Sequence, residues 1–290
     1  MFIPKISVDK LRKKLIRNYR TLNLMDTKFF KKLGRSVPSL GLGTWRMGED
    51  KSMDDACIVA LKRGIELGAT MIDTAEIYAN GRAEELVGKA IKDFDRDELF
   101  IVTKVWPTHA RYEHVLKAAK ESSRRLGTYI DLYLLHWPSD IPICETMRAM
   151  EELVKTGLIR HIGLSNFNVK GIEEARACLK NNDIAAVQNR FSPTYRKDYS
   201  EVIPYAEKEG MMYMAYTPIE KGAIAGNKLL KKIGEKYGKT PIQVALNWLI
   251  SIEPVVPIPK TSRIEHVEEN VGAMGWRLSR EDFAEILNNL

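Results

Sequence analysis

The stretch MIDTAEIYAN, residues 71–80, places Asp73 directly after the apolar pair Met71 and Ile72, with the phenol of Tyr78 five residues further on. An ionised carboxylate at the end of a buried run is costly unless a cation meets it. A carboxylate, a phenol and an answering cation are acid–base groups, able to deliver or remove a proton at one point. The pattern recurs along the chain. Lys104 lies in LFIVTKV, His136 in DLYLLHW, Ser165 and Asn166 in HIGLSNF, Gln188 in AAVQNRF, Tyr216 in MMYMAYT, and Lys260 in VVPIPK. Any one of these alone reads as a satisfied core polar group or a solvated strand end. Seven apolar runs in succession, each carrying such a residue, point to a shared site.

The runs that carry these residues alternate with stretches of helical periodicity. SLGLGTW (39–45) is the first strand expected, followed by MIDTA (71–75), LFIVTKV (99–105) and DLYLLHW (131–137). HIGLSNF (161–167), AAVQNRF (185–191), MMYMAYT (211–217) and VVPIPK (255–260) complete eight. Segments such as ETMRAMEELVKTG and DYSEVIPYAEKEG lie between them and end in Gly, a common helix terminator. Buried strands alternating with helices imply parallel βαβ pairing. Eight such units in about 250 residues is the count of a (β/α)8 TIM barrel, an α/β fold whose chemistry gathers at the C-terminal strand ends. TKFFKKLGRSVPS reads as an N-terminal β-hairpin closing the barrel floor, and SREDFAEILNNL as a last helix capped by Ser279.

The chain has 290 residues, 44% hydrophobic and 29% charged, as in an ordinary globular protein. It contains no apolar run long enough to span a membrane and no signal-peptide pattern. The net charge of +7 is concentrated at the start. Residues 1–24 hold seven basic residues (Lys5, Lys10, Lys13, Lys14, Arg12, Arg17, Arg20) against Asp9 alone, leaving only +1 for the other 266. The basic isoelectric point therefore belongs to a leader, which argues against a nucleic-acid-binding face. That leader is expected to be a disordered extension or a basic amphipathic helix, with residues 25–290 forming one barrel domain. Cys57, Cys144 and Cys178 are far apart, with no CxxC. Their spacing predicts neither a disulfide framework nor a zinc site, and it suggests a reducing, cytoplasmic compartment.

From about Thr27 to Leu290 the sequence resembles the aldo-keto reductase family. The matching stretches are LGLGTW (40–45), MIDTAEIYANG (71–81), IVTKVW (101–106), LYLLHWP (132–138), IGLSNF (162–167), AYTP (215–218) and IPK (258–260), in order. The resemblance implies a catalytic tetrad of Asp73, Tyr78, Lys104 and His136. It also implies NAD(P)H-dependent reduction of aldehydes and ketones, sugars among them. In that reading Tyr78 protonates the carbonyl oxygen, Lys104 lowers the phenol's pKa and Asp73 holds Lys104. His136 orients the oxygen, either as a neutral donor or as an acid. No metal is implied. The expected partner is a small carbonyl substrate, and the protein is expected to be a monomer or small homo-oligomer.

The cofactor site implied is not a Rossmann site, since no GxGxxG opens a helix after a strand. Ser165, Asn166 and Gln188 match the residues that hold the nicotinamide carboxamide, and Tyr216 matches the ring that stacks on its face. Thr217, Ile219 and Lys221 fall on the loop over the pyrophosphate. Lys260, Thr261 and Ser262 match the adenosine 2′-phosphate pocket, at a helix expected to start at Thr261 or Ser262, and Glu269 and Asn270 match the adenine contacts. His266 stands where many NADP-preferring members carry Arg, with Arg263 three residues before it. NADP(H) is the expected cofactor, with NAD(H) as the alternative. Trp45 and Trp106, with His136, match the substrate wall. The chain ends soon after its last helix, without the long C-terminal loop of some members, which implies an open pocket. Two rivals stand beside this reading. One is a slow nicotinamide-binding regulatory subunit. The other is a metal-assisted hydrolase using Asp73 and His136, which would leave Tyr78 and Lys104 unexplained.

Overall fold

A computed structural model describes residues 26–290; the expectations for residues 1–24 lie outside the described residues. The hairpin pairs β1 (Thr27–Phe30) with β2 (Arg35–Pro38), turning through Gly34 at φ 62°. The barrel strands are β3 (Leu42–Gly43), β4 (Met71–Asp73), β5 (Phe100–Val105), β6 (Ile130–Leu135), β7 (Ile159–Ser165), β8 (Ile184–Arg190), β9 (Met212–Tyr216) and β10 (Val255–Pro257). They run parallel in sequence order, and a bridge between Gly43 and Lys260 closes the circle. The first strand is shorter than SLGLGTW suggested. Only Leu42 and Gly43 are laddered to β4, at Ile72 and Asp73.

Helices clothe the strands: α1 (Asp54–Glu66), α2 (Arg82–Ile91), α3 (Tyr112–Leu126), α4 (Ile143–Lys155), α5 (Val169–Arg176), α6 (Val202–Glu209), α7 (Lys228–Tyr237), α8 (Pro241–Ile250), α9 (Ile264–Val271) and α10 (Arg280–Asn289). Gly210, at φ 69°, ends α6, and Ser279 caps α10 by accepting from the Asp282 N–H.

Side chains on a strand alternate between its two faces. Phe100 and Val102 of β5, Leu132 and Leu134 of β6, and Met212 and Met214 of β9 fill the barrel interior with the hairpin's Phe30, Leu33 and Val37. Their neighbours Ile101, Val105, Tyr133 and Leu135 point outward into the packing between strands and helices. Burying each large inner side chain is worth about 1.5–3 kcal/mol. The same alternation fixes the site. One step of two beyond an inner apolar residue lies Asp73 after Met71, Lys104 after Val102, His136 after Leu134, Gln188 after Ala186, and Tyr216 after Met214. The polar residues therefore share the barrel mouth because they share parity with the core.

At the floor, Lys28 of the hairpin is buried and donates to the Ile252 and Val255 carbonyls, both at 2.9 Å. Burial pushes its pKa down to about 8, against the pull of Glu253. One expectation from the cysteines is overturned. Cys144, in the first turn of α4, and Cys178, just past α5, form a disulfide with their Cα atoms 5.0 Å apart. The two helices are neighbours on the barrel wall, a proximity that a spacing of 34 residues does not reveal. Cys57 is free and buried.

Candidate active site

Lys104 is fully buried and its ammonium lies 2.8 Å from the Asp73 carboxylate. It also donates to the Thr74 carbonyl at 2.8 Å. Burial disfavours this charge, but Asp73 and Tyr78 together outweigh burial and move the lysine's pKa upward. The cation that Asp73 requires is thus Lys104. Asp73 Oδ1 also accepts from Gln188 Nε2 at 2.7 Å, and the Asp73 main-chain carbonyl accepts from the Thr44 hydroxyl at 2.9 Å.

Tyr78 follows on a short turn, with its ring centroid 5.1 Å from the Lys104 ammonium. The turn is held in left-handed backbone at Ala79 (φ 48°), Asn80 (φ 54°) and Gly81 (φ 88°). Such conformations cost free energy at non-glycine residues and concentrate at functional sites. The expected effect of Lys104 on the phenol is present but outweighed. The lysine does pull the pKa down, but burial is the larger influence and the net direction is upward. Tyr78 is therefore a firmly held proton.

His136 sits across from Tyr78, their rings edge to face at 5.8 Å. Burial, aided by the Lys104 charge, drives its pKa to about 2, so the imidazole is neutral. A neutral imidazole suits the donor role for His136 rather than the acid role. Among the described residues nothing bonds its buried Nδ1. An unpaired acceptor is less costly than an unpaired N–H, which favours the tautomer with the proton on Nε2, free to donate.

The implied carboxamide clamp is interlocked with the tetrad. Asn166, at φ 67°, donates from Nδ2 to the His136 carbonyl (2.9 Å) and to Ser165 Oγ (3.0 Å). Its Oδ1 accepts from the Tyr216 hydroxyl at 2.8 Å, and Ser165 Oγ donates to the Gln188 carbonyl at 2.9 Å. Gln188 Oε1 and the remaining lone pair of Asn166 Oδ1 are acceptors for an amide N–H. These acceptors suit the N–H groups of a carboxamide, and the half-buried Tyr216 ring borders them. Beyond it, Thr217 (φ 54°), Ile219 and Lys221 (φ 55°) lie on the loop following β9, and the Lys221 ammonium stands 5.1 Å over the Trp45 ring.

At the other end of the implied dinucleotide, Lys260, Thr261 and Ser262 are half-buried and Arg263 and His266 exposed. The helix begins later than Thr261 or Ser262 suggested. Arg263 is its N-cap and Ile264 its first residue, because Thr261 Oγ1 captures the Arg263 N–H at 3.1 Å in a turn that precedes it. Glu269 and Asn270 lie in its last turn, Asn270 buried. The free N–H groups of its first turn, with Lys260 and Arg263 beside them, suit a phosphate. Trp45 (46% exposed) and the half-buried Trp106 flank the mouth, the latter with its ring edge to face with His136 at 5.2 Å.

Glu76, inside the quoted stretch, is a site residue that spacing alone does not single out. It accepts the Trp106 N–H at 2.6 Å and contacts His109 Nδ1 at 2.9 Å. A charged residue within the apolar MIDTAEIY was the only signal available. Among the described residues no group of three His, Cys, Asp or Glu is arranged to hold a metal ion, and no helix is long and apolar enough to cross a membrane.

Residues 39–288 match the Aldo/keto reductase family. The chain is 38% identical over 255 residues to the methylglyoxal reductase YeaE of Escherichia coli (strain K12), covering 86% of this chain and 89% of that protein. It is 37% identical over 256 residues to a glyoxal reductase of Bacillus subtilis, covering 87% and 89%. Among solved structures, a thermostable aldo-keto reductase bound to the inhibitor epalrestat superposes with a TM-score of 0.86 at 40% identity, covering 90% of this chain and 98% of that one. An aldo/keto reductase of Klebsiella pneumoniae in complex with NADP and acetate gives a TM-score of 0.84 at 36% identity, covering 90% and 94%.

Proposed function

The chain belongs to the aldo/keto reductase family and is an oxidoreductase that reduces carbonyls with NADP(H), and from that premise we propose that Asp73, Lys104, Tyr78 and His136 form the unit that delivers the proton. The observation that carries this is their convergence at one barrel mouth. A buried ammonium is bonded to Asp73 and set beside the Tyr78 ring, with a neutral imidazole facing the same phenol.

The bound dihydronicotinamide supplies the hydride, and the chain's residues manage the charge that develops on the carbonyl oxygen. His136 Nε2–H donates to that oxygen and aims it. Tyr78 gives up its proton there. A raised phenol pKa does not obstruct this step, because an alkoxide is a stronger base than a phenolate. Lys104 stabilises the phenolate left behind, and Asp73 keeps the lysine charged and in place. General-acid help of this kind is worth roughly 10²–10⁴ in rate. Ser165, Asn166 and Gln188 would hold the carboxamide and Tyr216 the ring face, so that one face is presented. Thr217, Ile219 and Lys221 would cover the pyrophosphate. Lys260, Thr261, Ser262 and Arg263 would take the 2′-phosphate, with His266 at its edge and Glu269 and Asn270 at the adenine.

For substrate we propose small carbonyls, 2-oxoaldehydes among them. The support is the naming of two relatives as methylglyoxal and glyoxal reductases and a mouth walled by Trp45 and Trp106. Dependence on reduced dinucleotide supports a cytoplasmic location. The Cys144–Cys178 disulfide pulls toward an oxidising compartment, and thiol titration of protein taken directly from cells decides between them. The function is tested by following nicotinamide absorbance with purified protein, NADPH and a panel of glyoxal, methylglyoxal and simple aldehydes. Turnover unaffected by a chelator is expected. Turnover that needs a divalent ion would sink this reading.

A further inference from the structure

His136 is the tetrad member least tied by hydrogen bonds at its ring. Its backbone is fixed, the N–H donating to Val105 and the carbonyl accepting from Asn166. No described residue bonds Nδ1. What holds the imidazole plane is the edge of Trp106 at 5.2 Å and 89°, together with Tyr78 at 5.8 Å and 75°. Trp106 itself lies one residue beyond β5, where the strand ladder has ended and Pro107 follows. Its N–H is anchored by Glu76 Oε1 at 2.6 Å, and the same oxygen contacts His109 Nδ1 at 2.9 Å, drawing in the short turn Pro107–His109. Glu76 is gripped at its other end too, its own N–H donating to the Lys104 carbonyl at 3.3 Å. The carboxylate side chain is only 10% exposed. One residue, placed in the chain between Asp73 and Tyr78, thus clasps the strand end that carries Lys104 and the main chain from which the Trp106 ring projects.

We propose that Glu76 is a positioning residue for the catalytic centre, fixing Trp106 by its main chain and, through the Trp106 ring edge, the aim of His136. The inference rests on the tetrad reading above. It makes reach, not charge, the operative property of the side chain: an acceptor must arrive at the Trp106 N–H. Gln has the length and an acceptor oxygen. Asp has the charge but is one methylene short.

The test is steady-state kinetics on the full chain with NADPH and one small aldehyde, for Glu76→Gln, Glu76→Asp and Glu76→Ala, with Tyr78→Phe alongside. Misplacing a reacting group by about 1 Å costs up to about 10² in rate, so kcat should fall about tenfold or more in the Asp and Ala variants and stay within about threefold of the parent in Gln. The KM for NADPH should be unchanged in all three, since the cofactor clamp lies on other strands. A merely structural glutamate would lower the melting temperature without this split and without rescue by Gln. An Asp variant with parental kcat overturns the proposal. A Gln variant as impaired as Asp also overturns it, because charge would then be what matters. The Asp and Gln pair carries the decision even where the Ala variant fails to fold. Activity retained in Tyr78→Phe would instead show that the tetrad reading itself is at fault, an outcome separable from both.

Discussion

If His136 is held neutral, the reduction should be almost indifferent to pH. Burial, with Lys104 nearby, takes the imidazole from its ordinary value of 6.5 to about 2. At pH 6 such a group is protonated in only about one molecule in ten thousand, whereas a histidine of ordinary pKa would be mostly charged. Were a cationic His136 the acid, kcat would fall about tenfold for each pH unit above 6.5, or about two hundredfold between pH 6 and pH 9. Tyr78 does not titrate in that range either, since burial moves its pKa upward. With both groups locked, kcat for reduction of a non-ionising aldehyde should change little from pH 6 to pH 9. The assay is initial-rate NADPH oxidation at saturating cofactor and substrate across that range. The reverse reaction should depend on pH in the opposite way. Alcohol oxidation needs the phenolate, whose fraction grows about tenfold per pH unit below the phenol pKa, so that rate should climb steadily over the same range. A reduction rate that drops with a midpoint between pH 6 and 7 would refute the neutral imidazole.

Tyr78→Phe should lower kcat by roughly 10²–10⁴ while leaving NADPH affinity, read by fluorescence titration, near the parent's. Lys104→Met leaves Asp73 buried beside Gln188 alone, and chemical denaturation should show about 3–5 kcal/mol of lost stability along with lost turnover. Lys260→Ala should raise the KM for NADPH about tenfold and that for NADH much less, since only NADPH carries the phosphate this lysine would bond. Lys28, with a folded pKa of about 8 against 10.5, is the fourth case. Between those values the unfolded chain keeps the proton that the folded chain has lost, so the parent should gain about 2 kcal/mol relative to Lys28→Met between pH 7 and pH 9.5 in urea melts.

Residues on strands were legible because a strand has one strict rule. Parity sends Lys104 to the same face as Val102 and His136 to the same face as Leu134, so a polar residue ending an apolar run can be assigned to the barrel mouth before any coordinates exist. Where the rule stops, so did legibility. The helix near Lys260 starts at Ile264 because a Thr261 side chain diverts one N–H, a local competition that composition does not rank. Cys144 and Cys178 meet because α4 and α5 are neighbours on the wall, a fact of tertiary packing.

The Tyr78 phenol shows the limit most sharply. Lys104, set beside it by the family resemblance, leads to the expectation of a lowered pKa. The opposing influence, burial, is the sum of everything packed around it and belongs to no residue in particular. The chemistry survives this reversal, because a proton donor needs only to be less basic than the alkoxide it serves. The proposed tetrad is what the family resemblance implies, and parity accounts for Asp73, Lys104 and His136 while Tyr78 sits on a turn; the protonation state of the group follows from enclosure. Trp45, Trp106 and Lys221 lie on loops outside the strands, and it is to these loops that we assign the chain's proposed selectivity among carbonyls.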